Sequence, residues 1–162
     1  MGDILRSMLV ITLIILALWG FGKLFTNEPA SPVKTIDYAK VVAEARPAAK
    51  FELAAPPSLP AGWRATTARF DPQSWHLGVF TDDDEYLGLE QVKVSADRAV
   101  DTFAEGSKSA GTAVVDGETW DVRKGPKDRW TYVREDGDRT MLVNGTTSRA
   151  ELERYISSLT TS

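Results

Sequence analysis

One side chain in this sequence ordinarily titrates close to neutral pH. It is His76, held between a tryptophan and a leucine in "SWHLGVF" (74–80). A strand through this stretch gives His76 one face with Ser74, Gly78 and Phe80, and turns Trp75, Leu77 and Val79 to the other. If Thr81 pairs with Tyr86 around the acidic turn "DDDE" (82–85), the register sets His76 opposite Gln91. Ser74, His76 and Gln91 on one face can hold a polar ligand. They do not make a hydrolase triad, because a nucleophile and a base two apart on one strand lack an orienting acid and an oxyanion hole. His76 is therefore expected to be hydrogen-bonded across strands and to perform no general-base step.

Other stretches invite chemistry and fall short of it. "TDDDE" suggests a calcium loop but has neither the glycine at position six nor the bidentate glutamate at position twelve. A solvated turn accounts for it. "NGT" (144–146) matches a glycosylation acceptor, yet it falls where the last strand must turn into the last helix. There is no cysteine, which excludes disulfides, thiol catalysis and zinc–thiolate sites. Gly-rich phosphate loops and paired histidine ligands are also missing, so no catalytic residue, metal or cofactor is expected. Trp63, Trp75, Trp120 and Trp130 open or sit within predicted strands and are expected in the core, with several able to line one cleft. Trp63 and Trp75 join Ser74, His76 and Gln91 as the candidate ligand or partner face.

The elements that must position these residues follow from periodicity and punctuation. "TIDYAKVVAEARPAA" predicts a helix capped by Asp37 and ended by Pro47, with Tyr38, Val41, Val42 and Ala45 on one stripe. "PPSLPAGW" leads into a strand "WRATTARF", and "WHLGVFT" and "YLGLEQVKV" flank the acidic turn. "SADRAVDTFAEG" predicts a second helix, capped by Ser95 and stopped by Gly106. Asp116-Gly117 and "EDGD" mark two further hairpins. "TSRAELERYISSL" closes the chain as a helix with a capping box of Ser148 and Glu151 and a stripe of Leu152, Tyr155, Ile156 and Leu159. Strands joined by tight turns pair antiparallel, and helices must cover at least one face. The expected fold is α+β: an antiparallel sheet of about six to seven strands covered by two to three helices, preceded by one N-terminal transmembrane helix.

That anchor is read from Ile4 to Phe25, 22 lipid-compatible residues if Arg6 and Lys23 snorkel. Its apolar body is Met8, Leu9, Val10, Ile11, Leu13, Ile14, Ile15, Leu16, Leu18, Trp19 and Phe21. "GKLFTNEPASP" offers no run of small residues for signal-peptide cleavage, so the anchor is expected to be retained. The division expected is a tail over 1–6, an anchor over 7–25, a tether over 26–35 and an extracytoplasmic domain over 36–162. Flanking charges barely discriminate orientation, and the N-in choice rests on the short tail and the folded bulk that follows. Beyond Thr26 the balance is 22 acidic to 17 basic residues with no basic cluster, which argues against nucleic acid.

The ordered motifs "VKTIDYAKVVAEAR", "LPAGWRAT", "SWHLGV", "YLGLEQ", "GETWDV" and "VNGTTSRAELERYISSL", behind an apolar anchor, resemble the actinobacterial membrane-anchored family called domain of unknown function 4245. The resemblance runs from the anchor to the last helix and implies a location and an architecture, with no catalytic residues to carry over. "LPAGW" and the closing helix also resemble PsbP-like domains and the sensor domains of envelope regulators, which implies a sheet covered by helices. The expected function is a non-catalytic binding, scaffolding or sensing module at the cell membrane, its partner an envelope protein or an apolar small molecule. The alternatives are a carrier with an apolar molecule in a sheet–helix cleft and, behind it, a carboxylate-based hydrolase.

Overall fold

The computed structural model describes residues 34–161 and, before them, Met8, Ile11, Thr12 and Ile15. These four are helical, and the Thr12 hydroxyl donates to the Met8 carbonyl. The remaining residues of the expected anchor, and the tether up to Val33, lie outside the described residues. No described helix is long and apolar enough to cross a membrane. The chain divides into two units, Met1–Val33 and Lys34–Ser162.

The second unit runs α1 (Tyr38–Ala45), β1 (Arg64–Asp71), β2 (Ser74–Phe80), β3 (Tyr86–Val92), α2 (Ala96–Phe103), β4 (Lys108–Val115), β5 (Glu118–Lys124), β6 (Trp130–Asp136), β7 (Arg139–Gly145) and α3 (Arg149–Ser157). The seven strands form one antiparallel sheet in the order β1-β2-β3-β7-β6-β5-β4. Three helices, three strands before α2 and four after it follow the pattern expected from the sequence. Local chemistry explains the boundaries. Asp37 caps α1 by accepting from the Lys40 amide, and Ser148 caps α3 by accepting from the Glu151 amide. Asp116 and Gly117 both take positive φ, which the two-residue hairpin turn between β4 and β5 requires.

Alternation along the strands makes two unlike faces. On the core face, Trp75, Leu77, Val79, Leu87, Leu89, Val122, Tyr132 and Val143 are fully buried. Val42 and Ala45 of α1, and Leu152, Tyr155 and Ile156 of α3, cover them. The irregular segment Leu53–Ala55 is also buried within this cluster. Its polar backbone atoms need partners, and side chains of the sheet supply them. Gln91 accepts from the Ala54 amide (2.8 Å) and donates to the Glu52 carbonyl (3.0 Å), while the Trp75 indole donates to the Ala54 carbonyl (2.9 Å). Ala55 and Thr160 exchange two backbone bonds beside them. The opposite face carries a smaller apolar patch, where Ala99, Ala104 and Phe103 pack on Val92, Val133 and Leu142.

The register of the β2–β3 hairpin differs from the expected one by a residue. Phe80, rather than Thr81, pairs with Tyr86, so the turn spans five residues. Thr81 closes it twice, its amide donating to the Glu85 carbonyl and its hydroxyl accepting from the Glu85 amide, with Asp84 in a left-handed conformation. Because side chains alternate with period two, that single residue moves Gln91 to the face opposite His76. His76 pairs instead with Glu90, and Gln91 with Trp75.

Candidate functional site

The face away from the main core is built around two glycines. Gly78 of β2 and Gly88 of β3 pair directly, and the row continues through Asn144 and Thr131. Nothing rises from the sheet at the glycines, so the Tyr86 ring has room to lie across them. A Cβ on Gly88 would stand 2.8 Å from the Tyr86 hydroxyl and 3.1 Å from Asn144 Oδ1. One on Gly78 would stand 3.4 Å from both the Tyr86 hydroxyl and His76 Nε2. An aromatic laid over bare backbone replaces apolar area that the glycines cannot supply. It also delivers a phenol to the middle of a polar cluster. Burial raises the Tyr86 phenol above its ordinary value, Glu90 pushes the same way, and Arg129 opposes them.

His76 Nδ1 lies 2.5 Å from Glu90 Oε1, with the carboxylate side chain 9% exposed and the imidazole 25%. Nδ1 is taken up by the Glu90 carboxyl, and Nε2 faces the space above Gly78. The orienting acid that sequence reasoning found missing is therefore Glu90. A nucleophile does not accompany it. The Ser74 hydroxyl donates to Asp71 at the β1–β2 turn, which holds the Asp71 carboxyl below its usual range. Among the described residues no hydroxyl is hydrogen-bonded to the imidazole. Acid and base without a hydroxyl nucleophile do not make a triad of the Ser-His-Asp type.

Two buried oxygens of the same row have no partner. Thr131 is 1% exposed and Asn144 5%, yet Thr131 Oγ1 and Asn144 Oδ1 have no hydrogen-bond partner among the described residues. The Asn144 amide nitrogen is occupied, capping the Phe103 carbonyl at the end of α2 (3.2 Å). Thr131 lines an open cleft of about 330 Å³ between the C-terminal end of α2 and the β5–β6 connection. Phe103, Ala104 and Glu105 form one wall; Gly125, Pro126, Lys127 and Arg129 form the other. The second wall is strained: Lys127 and Asp128 are consecutive non-glycine residues at φ 55° and 57°. An ion pair from Lys124 to Asp128 (2.9 Å) and a bond from the Gly125 amide to the Arg129 carbonyl (2.8 Å) hold it closed.

The five residues expected on one face are thus dispersed. Trp75 and Gln91 belong to the core face, where both secure the Leu53–Ala55 segment. Ser74 stays on the His76 face but serves a hairpin turn. Trp63 stacks on Tyr155 at 6.3 Å and lines a separate groove of about 270 Å³ with Leu59 and Pro60. His76 alone joins the polar cluster, together with Tyr86, Glu90, Thr131 and Asn144, which sequence reasoning missed. The signal that could have found them is a glycine in the middle of each of two paired strands, "HLGVF" and "YLGLE".

Comparison with curated proteins finds no match. The model of a family described as "Protein of unknown function (DUF4245)" matches residues 1–159. With almost the whole chain covered, this protein belongs to the DUF4245 family.

Proposed function

We propose that the protein is a non-catalytic binding module, tethered to the cell membrane by its N-terminal apolar stretch and displayed outside the cytoplasm. Its ligand seats in the cleft between α2 and the Gly125–Arg129 connection. One observation carries this reading: an open cleft of about 330 Å³ is lined by Lys127 and Arg129, both exposed and neither ion-paired among the described residues. Strain in the facing loop points to the same place. The test is photocrosslinking of the full-length protein in its native membrane, with benzophenone at position 127 and, as control, at the exposed Val114. An adduct of defined small mass formed from position 127 alone supports the cleft. Identical patterns from both positions, or no adduct from 127, overturn it.

The carrier reading has its own supporting feature in the groove of Leu59, Pro60, Trp63 and Tyr155. At about 270 Å³, with Glu151 and Arg154 also lining it, the groove is smaller and more charged than an enclosed apolar site calls for. It ranks second.

A further inference from the structure

The two edges of the sheet are finished differently. At the β1 edge the Ile36 amide donates to the Ala65 carbonyl (2.9 Å), α1 packs against the strand, and Arg64, Arg69 and Asp71 place charge along it. Such devices stop another strand from pairing there. β4, at the other edge, has none of them between Thr112 and Val115. Its one charge is Lys108 at the start, and its one irregularity lies between Ser109 and Thr112. Val114, 70% exposed, is the most exposed large apolar side chain among the described residues. The hairpin fixes which backbone groups are free. Asp116 and Gly117 form a two-residue turn closed by the pair Val115–Glu118, and a closing pair of this kind exchanges both of its hydrogen bonds. Direction then alternates along β4. Ala113 turns its amide and carbonyl to Trp120 of β5, while Thr112 and Val114 turn theirs outward, where no strand lies among the described residues.

We propose that β4 pairs with β4 of a second copy of this chain, antiparallel about a twofold axis at Ala113, so that two seven-stranded sheets become one continuous sheet. Thr112 of each copy then exchanges two hydrogen bonds with Val114 of the other, and the exposed Val114 side chain gains a cross-strand neighbour. Charge selects this direction. Lys108 and Asp116 flank the strand, both exposed and neither ion-paired among the described residues. An antiparallel copy brings each Lys108 to the turn that holds the other copy's Asp116. A parallel copy would set like charges side by side. This interface does not depend on what the α2 cleft binds.

The sequence has no cysteine, so a single introduced thiol reports on the interface without background. At the axis Ala113 faces its own copy across a non-hydrogen-bonded pair, with Cα atoms about 4.5 Å apart and within reach of a disulfide. Full-length Ala113→Cys, oxidised with copper phenanthroline in its native membrane, should run as a dimer on a non-reducing gel. Arg69→Cys, exposed on the other edge strand, should stay monomeric. Val114→Lys added to Ala113→Cys should abolish the dimer and leave the denaturant midpoint unchanged, because the side chain is exposed and an edge lysine blocks strand pairing. Lys108→Glu in the same background should weaken the dimer. Asp116→Asn should then restore part of the loss, since asparagine suits the left-handed turn position and removes the repulsion. Equal dimer from Arg69→Cys means random collision and overturns the proposal. So does a disulfide yield indifferent to Val114→Lys, or a wild-type chain that sediments as a monomer at every concentration in neutral detergent. Ala113→Cys trapped with a different protein in place of itself overturns the second copy as the occupant.

Discussion

The two faces of this sheet use the same seven strands to different ends. On the core face, Trp75, Leu77, Leu89, Val143 and Leu152 pack with no exposure, and Gln91, which enters it, has its hydrogen bonds satisfied, although the Trp120 indole and the Tyr155 hydroxyl have no partner among the described residues. On the other, a single eight-residue helix covers only the patch of Val92, Val133 and Leu142. The rest of that face is glycine, phenol, imidazole and amide, with oxygens left unpaired. Apolar packing is concentrated on one side, and the other carries the row of polar groups. A protein with a net stability of about 5–15 kcal/mol can tolerate a few such groups only where the core is otherwise dry.

The comparison breaks first if the core face is not dominant. Trp75→Ala removes a fully buried indole and the donor to the Ala54 carbonyl, so the Leu53–Ala55 segment loses packing and a hydrogen bond together. A loss of about 3–5 kcal/mol is expected, a large fraction of a domain's net stability. Urea denaturation followed by tryptophan fluorescence measures it. A loss under about 1 kcal/mol would mean that the segment is held elsewhere.

The polar face should respond more weakly, and through its partners. His76→Ala leaves the nearly buried Glu90 carboxylate without its hydrogen bond, at a loss of about 1–3 kcal/mol. His76→Gln retains a donor and should lose less. The double variant His76→Ala with Glu90→Ala should be milder than the sum of the singles, since neither leaves the other stranded. Additive losses in denaturant midpoints would show that the 2.5 Å contact carries no coupling.

How much of this was legible in the sequence follows the same division. Periodicity exposed the core face, because it is built from apolar side chains that repeat every second residue, and all three helices were announced by stripes. Asp37 and Ser148 announced two of their caps. The polar face was legible only through His76. Its other members, Tyr86, Glu90, Thr131 and Asn144, come from three strands and meet only in the right register. That register depended on whether the acidic turn holds four residues or five. Composition cannot decide this, because it rests on Thr81 closing the turn with both amide and hydroxyl. The miss transferred the partner of His76 from an acid to an amide and hid the cluster. Trp63 and Trp75 were misgrouped for another reason: tryptophan suits core and cleft alike, and only the fold separates them.

The glycine row gives a finer test. Gly88 has ordinary φ, so Gly88→Ala meets no backbone strain and would gain a few tenths of a kcal/mol from the unfolded chain. Its Cβ would collide with the Tyr86 hydroxyl at 2.8 Å and force the ring off the sheet. A net loss of about 1–2 kcal/mol is expected from overpacking. Tyr86→Phe removes the colliding oxygen, so in that background the loss should shrink by half or more. If Gly88→Ala is equally harmful with Phe at position 86, the glycine serves something other than the phenol.

The smallest effect separates the faces most sharply. Each has a buried hydroxyl without a partner: Thr131 on the polar face and Tyr155, 3% exposed, within the main core. Burial drives the Tyr155 phenol far above its ordinary value, with Tyr38 and Tyr86 adding to the shift. A group whose folded pKa lies above its unfolded value near 10 contributes fully below pH 10 and loses that contribution as the pH rises through the folded value. Tyr155 therefore stays protonated at and well above neutral pH. Replacing an unpaired buried hydroxyl by hydrogen should be neutral or stabilising by up to about 1 kcal/mol. Tyr155→Phe and Thr131→Val should both raise, or leave unchanged, the midpoint of the ligand-free protein. They should part company when ligand is present. Tyr155→Phe keeps the full ligand-induced rise in midpoint, because its hydroxyl lies within the core of the other face. Thr131→Val loses most of that rise, since Thr131 lines the cleft in which the ligand is proposed to seat. Thermal melts of the two variants, with and without the ligand captured at position 127, measure both halves. Equal ligand-induced shifts in the two variants would reduce Thr131 to one more packing defect and remove the distinction between the faces.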